Sequence, residues 1–206
     1  MDKESALKQI ADTAYNIGIG AKKHFATYDI VEKTPRGIGF LSMAVGIFAL
    51  FIDALTAKML SATFIVLGIV GLYITFYNEK KHQYEQSGTQ ITQLYNELKA
   101  LYYRVKSSEK STFESELSEL ADIENRFYSA SICKQILLSD WYAHYKFFWQ
   151  HQIDWVNEQK NFKFWRDKVP LTLTISLAVL VLLLVGFLMG NTPVVLKLWE
   201  CLLSGG

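Results

Sequence analysis

Apolar positions along the chain fall into two kinds of run, unbroken stretches and stretches where they recur every three or four residues. Between Gly37 and Tyr77 the sequence reads GIGFLSMAVGIFALFIDALTAKMLSATFIVLGIVGLYITFY. The segment Gly37–Ile52 carries no charge, Asp53 and Lys58 follow, and Met59–Tyr77 is again uncharged. A membrane-crossing helix needs roughly 20 apolar residues, with about 17 as the lower end. The first segment reaches that length when Asp53 and its neighbours lie at the far interface. Together these runs predict a transmembrane helical hairpin. A third uncharged run, Val169–Met189, has the core LAVLVLLLVGFLM and predicts another span.

The remaining apolar residues are periodic. Leu7, Ile10, Ala14, Ile17 and Ala21 step by three and four, with Phe25 and Tyr28 beyond. They predict an amphipathic helix over residues 3–28, weakened by Gly18 and Gly20 and stopped at Thr34–Pro35. Its apolar face has two destinations, the cytoplasmic helices or the bilayer surface, and packing on the helices is the preferred reading. Past Asn78 the pattern continues through Ile91, Leu94, Leu98, Leu101 and Val105, until Ser107–Ser108 interrupts it. Ser111 with Glu114 has capping-box spacing and opens a second helix through Phe113, Leu117, Leu120, Phe127 and Ile132 to about Leu138. A third helix, Ser139–Asp167, carries Trp141, Tyr145, Phe148, Trp155 and Phe162 on one stripe and leads into the last span near Pro170. No alternating β-branched run predicts a strand. The expected fold is all-α: an integral membrane protein with a transmembrane hairpin, a cytoplasmic helical bundle with coiled-coil-like helices, and a third C-terminal transmembrane helix. The boundaries expected are 1–36 for the N-terminal helix, 37–77 for the hairpin, 78–168 for the cytoplasmic domain, 169–190 for the third span and 191–206 for an external tail. Because the hairpin starts behind a charged segment, it is expected to be permanent and not a cleaved signal.

Charge orients this arrangement. Nineteen of the 21 Lys and Arg residues lie before the hairpin or between it and the third span, leaving Lys58 in the turn and Lys197 in the tail. Positive residues near span ends stay in the cytoplasm, so the N-terminus and the central region are expected inside, and the turn and tail outside. Cys133 and Cys201 then lie on opposite sides of the membrane and predict no disulfide, zinc or redox site.

Within the hairpin, small residues repeat by sevens. Gly39, Gly46 and Asp53 mark the first span, with Ser42 and Ala49 between them; Ser61, Gly68 and Thr75 mark the second, with Gly71 beside them. Small residues let membrane helices approach closely. Either the two stripes face each other and close the hairpin, or one faces neighbouring subunits or a pore. Asp53 is either an interfacial cap near Lys58 or part of an acidic ring that favours cations. Arg36, Lys80, Lys81, Trp165, Arg166 and Lys168 are expected as membrane-interface anchors. His144 with Asp140, and His151 with Asp154, read as local helix pairs in preference to metal ligands. Aromatic and basic residues after Trp141 fit an interfacial belt better than a nucleic-acid surface. No nucleophile-elbow, phosphate-loop, dinucleotide or zinc-protease pattern is present, so an enzyme and a cofactor are not expected.

The stretch IGIGAKKHFATYDIVEKTPRGIGF at residues 17–40, followed by the two-span hairpin and a helical tail, resembles the SLATT family. Ala21, Lys22, Lys23 and His24 are its most specific local part; the third span departs from the two-span pattern. The resemblance implies a membrane effector of bacterial anti-phage abortive infection, working with nucleotide second messengers at the inner membrane. It implies homo-oligomers, a cytoplasmic trigger such as a cyclic nucleotide or a defence partner protein, and pore formation or membrane disruption. A non-conducting, membrane-anchored scaffold that recruits a partner is the competing reading.

Overall fold

Residues 1–52 and 58–190 are described by a computed structural model, with side chains described except at 58–59 and 188–190. Asp53, Trp199 and Cys201 therefore lie outside the described residues. Among those described, every regular element is helical. The chain divides into two units, Met1–Phe162 and Lys163–Gly206.

In the first unit α1 runs from Lys3 to Phe48, opened by the Asp2 carboxylate accepting from the Ser5 amide at 3.0 Å. The expected stop at Thr34–Pro35 does not occur: Pro35 lies inside α1. Proline deletes a single N–H, so only the Val31 carbonyl loses its i+4 donor. Breaking the helix beside an apolar segment would leave several backbone groups unpaired instead. The α2 helix, Lys58–Asn78, returns alongside, and a two-residue turn at Glu79–Lys80 leads into α3, Lys81–Ser107. Lys3 Nζ reaches the Ser108 carbonyl at 2.9 Å, Phe25 packs on Gly88, and Lys81 pairs with Glu32. Helices α1 and α3 are therefore antiparallel along their whole shared length.

That pair builds the core. The periodic positions Leu7, Ile10, Ala14, Ile17 and Ala21 are buried, as are Ile91, Leu94, Leu98, Leu101 and Val105. The N-terminal helix buries its apolar face on protein. Gly18 and Gly20 are where neighbours approach most closely: a Cβ on Gly18 would sit 2.5 Å from the Phe147 ring and one on Gly20 2.7 Å from Phe127.

Helix α4, Glu114–Ala130, starts later than the capping box implies. Its N-cap position is Phe113, fully buried, with no side-chain cap bond. Burial of that ring fixes the start, while Glu116 takes Lys110 at 2.8 Å and Ser115 at 2.7 Å. The helix does not reach Leu138 but ends at Ser131, which is extended, and residues 131–138 form an irregular loop.

The long third helix is also interrupted. It is replaced by α5, Ser139–Gln150, and α6, Asp154–Lys160. His151 is extended, and Asn161 ends α6 in the left-handed region at φ 49°. Phe148 and Trp155 are buried, whereas Tyr145 on the same helix as Phe148 is exposed, so the predicted stripe does not stay on one face.

In the second unit a π-helical turn spans Phe164–Lys168 and α7 spans Leu171–Gly190. By length and composition Leu60–Asn78 is the one described helix able to cross a membrane, and Leu171–Phe187 is a shorter apolar helix.

Candidate functional site

The densest polar organisation in the first unit lies where the apolar hairpin meets the bundle. Here α1, α2 and α3 all bind the loop 131–138. His24 Nδ1 lies 2.7 Å from the Gly20 carbonyl, and its Nε2 accepts from the Ile132 amide at 2.9 Å. Both bonds together require the neutral tautomer with the proton on Nδ1. Burial holds this imidazole below its usual range despite the opposing Gly20 bond, which fits its accepting role. The Thr27 hydroxyl donates to Gln135 Oε1 at 2.5 Å and accepts from the Ile136 amide at 3.5 Å. Tyr84 donates to the Lys134 carbonyl at 2.5 Å.

From α2, Tyr77 donates to the Gln135 carbonyl at 3.4 Å, and Tyr73 accepts from the Leu137 amide at 3.4 Å. Their hydroxyls are 3.3 Å apart. The proton directions then agree when Tyr73 donates to Tyr77. Val31, Ile74, Tyr77, Tyr84 and Ile136 close an apolar cluster beneath these bonds. The loop thereby ties three helices to one another.

Ion pairs brace the same level. Glu32 receives Lys81 at 2.7 Å from α3 and Arg36 from its own helix. The Lys81 hydrogen bond keeps its carboxyl below the ordinary carboxylate range. Asp29 holds Lys33 at 2.6 Å and also Lys146 of α5. Burial opposes the ionised form of Asp29, but those two ammonium donors outweigh it and its pKa falls. A cleft of about 250 Å³ opens beside Pro35, between Val31, Glu32 and Arg36 on one side and Ile74, Thr75 and Asn78 on the other.

The predicted hairpin residues divide. Ser42, Ala49 and Gly71 are half-buried, whereas Gly39, Gly46, Ser61, Gly68 and Thr75 are exposed. Nothing lies within 4 Å of a Cβ built on Gly39, Gly46, Gly68 or Gly71. The glycines thus make no close helix contact among the described residues. Thr75 satisfies its hydroxyl on the Leu72 carbonyl at 2.7 Å. Of the expected anchors, Arg36 and Lys81 meet on Glu32, and Lys80 is exposed at the start of α3. In the second unit Trp165 is exposed and Arg166 pairs with Asp167 at 2.8 Å. Lys168 closes the π-helical turn.

Asp140 pairs across helices with Lys23 at 2.5 Å, so its expected local pairing with His144 is not its principal bond. His151 leaves the helix surface and its ring centroid lies 4.7 Å from that of Tyr95, tilted by 53°. No group of three or more His, Cys, Asp and Glu side chains suited to a metal occurs among the described residues.

Sequence reasoning missed His24, Thr27, Tyr73, Tyr77, Tyr84 and Gln135 as a set. One signal was available: Tyr73, Tyr77 and Tyr84 recur by four and seven across the end of an apolar run, and the first two share one face of α2. Their partner loop was concealed inside a helix prediction.

A family model described as SMODS and SLOG-associating 2TM effector domain 6 matches residues 1–177. No curated protein and no solved structure matches the chain. That family is an effector domain and not a known enzyme family, and its two-transmembrane character fits the apolar hairpin joined to a braced bundle. A match over residues 1–177 includes both helices of the hairpin, the loop 131–138 and all the groups that hold it, and the chain belongs to the SLATT family of 2TM effector domains.

Proposed function

We propose that this chain is a membrane effector of bacterial anti-phage defence that opens a path through the inner membrane when triggered from the cytoplasm. Its hairpin and α7 make three spans, with the N-terminus and bundle inside and the hairpin turn outside. The charge split of nineteen basic residues against two supports that orientation. Subunits assemble through the hairpins, and the exposed glycine stripe supplies the contact surface. Its support is that Gly39, Gly46 and Gly68 have no close neighbour among the described residues. In lipid, small residues of this kind allow close helix approach between chains.

The observation that carries the reading is the three-helix hold on the loop 131–138. A trigger at the bundle, a cyclic nucleotide or a defence partner protein, would shift α4 or α5 and pull this loop. His24 and Thr27 would pass the pull to α1 and Tyr73 and Tyr77 to α2, both hairpin helices at once, while Tyr84 ties the loop to α3. Energetic coupling of this sort needs a packed element with two arrangements.

The test substitutes Gly46→Leu and Gly68→Leu and measures ion leak from proteoliposomes and toxicity in cells, at matched protein level and insertion. Loss of both leak and toxicity is expected. Unchanged leak overturns the pore, and absence of leak from the triggered parent protein favours a non-conducting scaffold.

A further inference from the structure

The loop 131–138 ends in an unusual way. Leu137 is 70% exposed and Leu138 50% exposed, side by side at its tip. Leu138 also has φ 67°, a left-handed conformation uncommon for a branched apolar residue. Two adjacent leucines are thus turned outward on a strained turn, and no described residue of the first unit buries them.

Their depth supplies one. The Leu137 amide is bonded to the hydroxyl of Tyr73, which lies five residues before Asn78 on α2. At 1.5 Å per residue that is about 7 Å inside the end of the apolar helix. Side chains on a helix lean toward its N-terminus, so the Tyr73 hydroxyl lies no closer to Asn78 than its own backbone. Basic groups ring the same level, with Arg36 and Lys33 largely exposed and Lys134 Nζ 5.2 Å above the Tyr77 ring.

Backbone polar groups at membrane depth must be satisfied by protein because water is scarce there. Five of the loop's have side-chain partners: Ile132 on His24, Ile136 on Thr27 and Leu137 on Tyr73 give up their amides, and Lys134 and Gln135 have tyrosines on their carbonyls. At the level of Tyr73 and Tyr77 the Leu137 amide and the Gln135 carbonyl have side-chain partners, which suits low-water surroundings.

We infer that Leu137 and Leu138 form a wedge seated in the inner-leaflet interface of the bilayer, with Lys33, Arg36 and Lys134 facing the lipid headgroups. The partner is the lipid surface itself. The inference rests on the hairpin spanning the membrane, and its consequence is that the loop joining bundle to hairpin is held by lipid as well as by protein. A bundle movement that lifts the loop must then withdraw two leucines from the leaflet.

The test uses full-length chain in proteoliposomes of phosphatidylethanolamine and phosphatidylglycerol, with Cys133→Ser and Cys201→Ser in the background. Spin labels are placed singly at Leu137→Cys, Leu138→Cys, Leu72→Cys on the exposed face of α2, and Tyr128→Cys on α4. Collisions with oxygen, which partitions into lipid, are compared with those of a water-soluble nickel chelate. Labels at 137 and 138 are expected to favour oxygen, as at 72, while 128 favours nickel. Oxygen preference at 72 with nickel preference at 137 and 138 overturns the wedge and leaves the hairpin intact. Nickel preference at 72 overturns the hairpin reading. Protection of 137 and 138 from both reagents means that protein covers them, which also overturns the wedge.

Discussion

Gly18→Ala is the sharpest test of how α1 meets α5. In an isolated helix this change is favourable, because glycine costs about 1 kcal/mol against alanine. Here the added methyl would lie 2.5 Å from the Phe147 ring and 3.0 Å from the Tyr95 ring. Both rings are buried, at 0% and 2% exposure, so neither can swing away cheaply. Overpacking of this kind costs typically 1–3 kcal/mol, and with two rings involved the upper end, about 3, applies. Subtracting the propensity gain leaves a net loss of about 2 kcal/mol, or a fall of roughly 4–8 °C in melting temperature for a chain of this size. The assay is thermal unfolding by far-ultraviolet circular dichroism in detergent micelles, with Gly37→Ala as control because nothing lies within 4 Å of that site. Adding Phe147→Leu should recover about 1 kcal/mol of the Gly18→Ala loss, since contacting residues couple. A melting temperature that stays level or rises in Gly18→Ala would refute the close approach of α1 and α5.

Two other outcomes follow from the buried charges. Burial holds the His24, His144 and His151 imidazoles below 6.5, with His151 down to about 4. The unfolded chain therefore takes up more protons as the pH falls, so stability is full above about pH 6.5 and declines toward pH 4. His151→Gln should flatten that decline in denaturant titrations run across the same range, and an unchanged slope would sink the assignment. The Asp29–Lys146 pair has side chains only 12% and 14% exposed. Asp29→Asn strands Lys146 and should cost about 2 kcal/mol, a discounted value for a partly exposed pair, whereas Lys146→Met leaves Asp29 with Lys33 and should cost less. Equal losses in denaturant midpoint would contradict that asymmetry.

The apolar faces of α1 and α3 were legible because two long helices that bury one stripe each must repeat it every three to four residues. Leu7 to Ala21 and Ile91 to Val105 all occupy the core on that account. The boundaries failed where a distant contact outranked a local rule. Ser111 looked like a cap, but burial of Phe113 sets where α4 begins. Thr34–Pro35 looked like a stop, yet one missing donor is cheaper than several unpaired groups. The aromatic stripe after Ser139 looked continuous, and its break at His151 exists because Trp155 must return to Tyr95 and Tyr102.

The seven-residue stripes needed the structure most. Spacing alone left the glycines free to close the hairpin or to face outward. The fold turns Ser42, Ala49 and Gly71 partly inward and leaves Gly39, Gly46 and Gly68 open. Membership of the family, the all-helical class and the position of the apolar runs were written in the sequence, because each depends on local composition and period. The hold on the loop 131–138 was decided only in three dimensions. His24, Thr27, Tyr73, Tyr77 and Tyr84 act there on partners 50 or more residues away, and no period in the sequence records a bond of that range.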